Sequence, residues 1–171
     1  MDVGTVYYAK HDGIVVLKLV GPFAFCLQAS KTLDAFINDL LTNDDFDNIL
    51  IDLTETKNID STNLGLLAMI TRINMDLHDC MATIVSTSDN ITQTLDGVGF
   101  REVFNIIQDP HQPETDFERL EQESAQSSKQ MAKVVLNAHR ELLELNDQNR
   151  AMFKDVVEML ESQAAEDPAS S

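Results

Sequence analysis

The 171-residue chain carries 29 acidic residues against 12 basic ones, a formal net charge of −17 and a pI near 4.3. Such a surface repels phosphate backbones and anionic headgroups, which excludes nucleic-acid binding and electrostatic attachment to a membrane, and it suits a basic or neutral protein partner. The 43% apolar content is that of a globular chain, and with no apolar run of about 18 residues nothing is expected to span a bilayer.

The first half alternates strand-like and helix-like patterns. Val3–Tyr8 and Ile14–Val20 read as strands around the turn His11-Asp12-Gly13. Gly21-Pro22 is expected to close the second strand. Ala29, Leu33, Phe36 and Leu40 recur at helical spacing across 29–41. Asn43-Asp44-Asp45 ends that helix. Ile49–Leu53 is a compact apolar strand. Leu66, Ile70, Ile73 and Leu77 form a second helical stripe over 62–78. Thr83–Val85 is a further strand, and Ser88-Asp89-Asn90 caps a third helix that ends near Gly97 and Gly99. Val103–Ile107 is the last strand. Strands alternating with helices predict an α/β fold with a mixed, mostly parallel sheet covered by helices.

The texture changes at Gln108–Pro113, where two prolines favour an extended link. The organisation read from composition is a domain over 1–108, a linker over 109–115, a helical extension over 116–163 and a disordered tail over 164–171. Within the extension Met131, Ala138, Leu145, Met152 and Met159 recur every seventh residue. Val135, Leu142, Asn149, Val156 and Gln163 form a companion stripe. Together they make a heptad seam, which Phe117, Leu120 and Ser124 extend upstream. An unbroken helix of about 48 residues would span roughly 70 Å, too long for one small domain. A dimeric coiled coil or bundle is the first expectation. A hairpin folded onto the domain is the second, with the break at Asn146–Asn149 and Asp147 as cap. A tail that folds on a partner is the third.

The most informative stretch is Asp60-Ser61-Thr62-Asn63-Leu64-Gly65, after the strand ending at Asp52-Leu53. Ser61 and Thr62 fall where a helix leaves its first N–H groups unpaired, so a phosphoryl group there meets donors and the positive end of the dipole. Asp60 adds a carboxylate beside the serine. The same residues also read simply as an N-cap. Ser86-Thr87-Ser88 reads first as a helix cap and second as a border of the same surface.

Residues 3–107 resemble a STAS domain, the family of bacterial anti-sigma-factor antagonists. The resemblance rests on Gly21, on strand Ile49–Leu53, and most on Ile59–Gly65, which is similar to the family's Asp-Ser-Ser/Thr-Gly-Leu-Gly signature. Leu95–Phe100 followed by Val103–Ile106 is similar to its closing helix and strand. The resemblance implies that Ser61 is the phosphorylation site. It implies a serine/threonine kinase, often the anti-sigma factor itself, and a metal-dependent serine phosphatase as partners. The unphosphorylated form would bind the anti-sigma factor and free the sigma factor. Asp60, Thr62, Asn63 and Leu64 would frame the binding surface.

Asn63 stands where the family has its first glycine, and asparagine is the residue that best tolerates positive φ after glycine. Its side chain adds bulk where a kinase would approach. Gly21–Phe25 lacks the acidic residue that many relatives carry there. A phosphate adds about −1.5 to −2 charges. A resulting loss of about 2–3 kcal/mol weakens a complex roughly 30- to 150-fold.

Other chemistry is not expected. Cys26 and Cys80 read as free thiols in a reducing cytoplasm. His11, His78, His111 and His139 stand apart, without metal-ligand spacing, so surface or turn roles are expected and no metal or cofactor. There is no nucleophile elbow, P-loop or dinucleotide motif, and no enzymatic activity is predicted. The first twenty residues lack the apolar core of a signal peptide, which points to the cytoplasm. Two alternative roles are a scaffold in a stressosome-like assembly, with homo-oligomerisation through the C-terminal helix, and a STAS subunit of a lipid-transport complex.

Overall fold

The computed structural model describes residues 3–43, 45–109, 116–121 and 127–166. The strands are β1 (Thr5–His11), β2 (Ile14–Phe23), β3 (Asn48–Asp52), β4 (Thr56–Ile59), β5 (Ala82–Val85), β6 (Phe104–Ile107) and β7 (Glu118–Arg119). The helices are α1 (Leu27–Thr42), α2 (Ser61–His78), α3 (Asp89–Gly97), α4 (Ser128–Leu145) and α5 (Asp147–Glu166), with a 3-10 turn η1 at Phe100–Glu102. The sheet runs β6-β5-β3-β2-β1-β7, and β4 pairs with the far end of β2. β2, β3, β5 and β6 are parallel, whereas β1 is antiparallel to both β2 and β7. The expected mixed, mostly parallel sheet with a C-terminal helical extension is the observed architecture.

One core explains the pattern. Leu17, Leu19, Ile49, Ile51 and Ile84 are fully buried at alternate strand positions, so one face of the sheet receives α1 and α2. Leu33, Phe36, Ile37 and Leu40 of α1 and Leu66, Leu67, Ile70 and Ile73 of α2 complete it. At about 25 cal/mol per Å2 of apolar area, each such side chain contributes roughly 1.5–3 kcal/mol.

Four expectations are corrected. Gly21-Pro22 does not end the second strand. β2 bulges there and continues to Phe23, paired with β4. Gly21 takes φ +94, a conformation suited to glycine. No strand is expected between Leu53 and Asp60, because Thr56-Lys57-Asn58-Ile59 has little apolar content and no alternation; β4 is a strand only by its pairing. Glu118–Arg119 was expected to be helical but forms β7, in register with Tyr7 and Tyr8 of β1. Phe117 and Leu120 therefore do not extend a heptad. Finally, residues 164–166, expected in a disordered tail, complete α5. Residues 110–115, most of the expected linker, lie outside the described residues, as do Ser124 and 167–171.

The C-terminal region is two helices, not one. Asn146 is extended at φ −161 and ψ 170. Its side-chain oxygen accepts from Asn149 N at 2.7 Å, so Asn146 rather than Asp147 caps α5. The elbow sits on the loop after α3, where Asn149 Nδ2 donates to Val98 O at 2.9 Å. α4 lies across α2 as a third layer, and α5 packs back along α4. Met131, Val134, Ala138 and Leu142 bury α4 against the domain. Of the two arrangements ranked ahead of a folding tail, the chain adopts the hairpin on its own domain.

Candidate functional site

The site is built at the start of α2. Asp60 is its N-cap, and Oδ1 accepts from Asn63 N at 3.0 Å. The other carboxylate oxygen accepts from Phe25 N at 2.9 Å. One side chain thus fixes both the helix start and the β2–α1 loop. Asn58 Oδ1 assists by accepting from Phe23 N and Ala24 N, both at 3.0 Å. The loop so held carries Phe25 at φ +58 with 98% of its surface exposed. A bulky residue rarely adopts that backbone conformation, and one fully exposed has no packing reason to do so.

Ser61 is the first residue of α2 and is half-buried. Its Oγ lies 2.9 Å from Nε2 of His139 on α4. The ring's Nδ1 lies 2.7 Å from Val135 O. A carbonyl only accepts, so Nδ1 carries a proton, and in the Nδ1–H tautomer Nε2 accepts from the serine hydroxyl. His139 is 6% exposed and meets the ring of Phe153 on α5 edge-on, with centroids 6.0 Å apart. Its expected surface role is therefore corrected. The contact spans 78 residues, beyond any spacing rule.

Close packing surrounds this bond. A Cβ on Gly65, one turn along α2, would stand 2.8 Å from Ala138 Cα and 2.5 Å from its carbonyl carbon, and nearer still to the oxygen. Only glycine lets the two backbones touch there. Farther along, Arg72 Nε donates to Glu141 Oε1 at 2.6 Å. That bond, opposed by partial burial, holds the Arg72 pKa above its ordinary value.

The predicted surface residues divide. Ser61, Thr62 and Asp60 are at the surface or half-buried. Asn63 and Leu64 face inward, at 0% and 4% exposure, and do not frame a partner surface. Asn63 is helical rather than at positive φ. Its Nδ2 donates to Phe23 O at 2.7 Å and to Asp60 Oδ1 at 3.1 Å, while its Oδ1 accepts from Ser30 Oγ at 3.0 Å. It ties α1, α2 and the end of β2 together and adds no bulk outside. Asp52 is buried and accepts from Thr54 N at 2.8 Å. Ser88 accepts from Ile91 N, and Ser86 Oγ lies 2.8 Å from Thr92 Oγ1, so this trio organises α3.

Ser61 and His139 are paired as a nucleophile and base would be. The open cavities of 360 Å3 beside Thr71 and Glu144 and 450 Å3 between Lys133 and Leu160 are lined by neither residue. Among the described residues no cluster of His, Cys, Asp and Glu has the grouping to hold a metal ion, Cys26 and Cys80 are free, and no helix is long and apolar enough to cross a membrane.

Comparison with curated proteins gives no match. Comparison with protein-family profiles matches residues 6–112 to the STAS domain, which takes in β1 to β6, the Asp60–Ser61 helix start and more than half of the chain. The chain belongs to the STAS domain family.

Proposed function

We propose that the protein is an anti-sigma-factor antagonist, a phosphorylation-controlled protein-binding switch with Ser61 as phosphoacceptor and no enzymatic activity of its own. One observation carries the reading: the Ser61 hydroxyl, at a capped helix start, is the atom on which a second packed element is seated. Adding a dianion to that atom changes what the surface can hold. Thr62 and the Phe25 loop, tied to the same Asp60, extend the surface on which an anti-sigma factor or kinase docks. A serine phosphatase resets it. The setting is the bacterial cytoplasm, where kinase and nucleotide meet.

The test is phosphosite mapping on protein from its native cell, with partners captured by the Ser61→Ala and Ser61→Asp forms. Phosphate on Ser61 and different partners for the two variants support the switch. An unmodified Ser61 under all growth conditions, with identical partners, removes it.

A second reading, assembly through the C-terminal region, is favoured by one stripe. Met152, Val156 and Met159 of α5 are exposed at positions i, i+4 and i+7. A concentration-dependent increase in mass that Met152→Glu abolishes would support homo-oligomerisation there.

A further inference from the structure

The face of α2 that carries Ser61 is already occupied by a helix of the same chain. Three contacts seat α4 there. The Ser61 hydroxyl donates to His139 Nε2 at 2.9 Å. The backbone of Ala138 rests on Gly65. Glu141 accepts from Arg72 at 2.6 Å. The helix that fits this face has a small residue at the crossing, a hydrogen-bond acceptor beside it and an acid one turn on.

Phosphorylation removes the Ser61 hydroxyl from that seat. Transfer from a nucleoside triphosphate forms an Oγ–P bond, breaks the bridging P–O bond, releases the diphosphate and sends the hydroxyl proton to a base. Oγ then has no proton to give His139, and a phosphoryl group is added to an atom that now lies 2.9 Å from the imidazole. The ring is bounded on its far side by Phe153, and Nδ1 is held by Val135 O. An outward shift of α4 gives up the close Gly65–Ala138 backbone packing. Both oxygens of Asp60, the nearest acid in sequence, are committed as acceptors to Asn63 N and Phe25 N. They add like charge and are held in place.

We propose that this face of α2 is a helix-docking surface, that α4 occupies it in cis in competition with an external partner, and that phosphorylation of Ser61 expels the α4–α5 hairpin. The proposal rests on the switch reading above and adds its regulation.

Hydrogen exchange on the full chain tests it, comparing wild type with protein carrying phosphoserine installed at position 61 during translation. Amides of α4 and α5 are expected to exchange at least about tenfold faster in the phosphorylated form, while β2, β3 and β5 keep their protection. Gly65→Ala, which adds no charge, is expected to free the same segment by collision with Ala138. His139→Ala, which leaves α2 untouched, is expected to do so by about two- to fivefold. Unchanged protection of α4–α5 in the phosphorylated form overturns the proposal, as does loss of protection throughout the sheet. Because the phosphate is installed, this result is independent of whether cells place it there; that question is answered by the native phosphosite map, whose failure removes the switch and not the docking.

Discussion

α4 and α5 are of similar length and share one sequence stripe, yet the fold treats them differently. α4 buries Met131, Val134, Ala138, His139 and Leu142. α5 buries Asn149, Phe153 and Val157 and leaves Met152, Val156 and Met159 in solvent. The heptad continues through both in sequence, but the extended Asn146 resets the phase. In α5 the buried face is spaced by four: it starts on the stripe at Asn149 and then leaves it, with Phe153 and Val157 each one position beyond Met152 and Val156. A periodicity therefore identifies a helix and not its neighbour: α4 belongs to the domain, and α5 belongs to α4.

Mutations sharpen that contrast. Leu142→Ala, at 0% exposure, is expected to cost about 2–4 kcal/mol in urea denaturation. Gly65→Ala is expected to cost about 1–3 kcal/mol, although alanine is the better helix former in isolation. A gain in stability would show that α4 does not rest on α2. Asn149→Ala, which removes the bond to Val98 O at the elbow, is expected to cost about 1–2 kcal/mol.

Arg72→Gln is expected to cost at most about 1 kcal/mol, because the arginine side chain is 55% exposed, and the cost should shrink as salt is raised. The Arg72 pKa is raised on folding, chiefly by the hydrogen bond to Glu141, so the stabilisation is present in full below the unfolded value and is lost only as pH rises through the higher folded one. The wild-type-minus-variant difference is accordingly flat from about pH 7 to about pH 10. Met152→Ala is expected to lie within about 0.5 kcal/mol of wild type. A larger loss, growing with protein concentration, would assign that stripe to an oligomer.

Legibility followed sequence distance. The Asp60 cap, Ser61 at the helix start and the break near Asn146 were readable, because each is a local matter of backbone groups and neighbouring side chains. β4 and β7 were not, since Thr56–Ile59 and Glu118–Arg119 are strands only by virtue of β2 and β1. Asn63 was misread as an exposed stand-in for glycine, when its amide is consumed inside by Phe23, Asp60 and Ser30. His139 looked like a surface residue because its partner is 78 positions away. Phe25 carried one available signal, a large apolar residue shortly after Gly21-Pro22, and its positive φ goes with the bonds that Asn58 and Asp60 make to this loop.

β7 has a consequence for rates and thresholds. By pairing with Tyr7 and Tyr8 it pins the chain to the sheet edge shortly before α4 begins. Only five residues separate Glu121 from Ser127, a leash of at most about 20 Å. A hairpin that lets go therefore stays within reach, at a local concentration on the order of millimolar. A rival helix of equal intrinsic affinity at micromolar concentration would be outcompeted about a thousandfold, so the tether sets how tightly any outside ligand must bind.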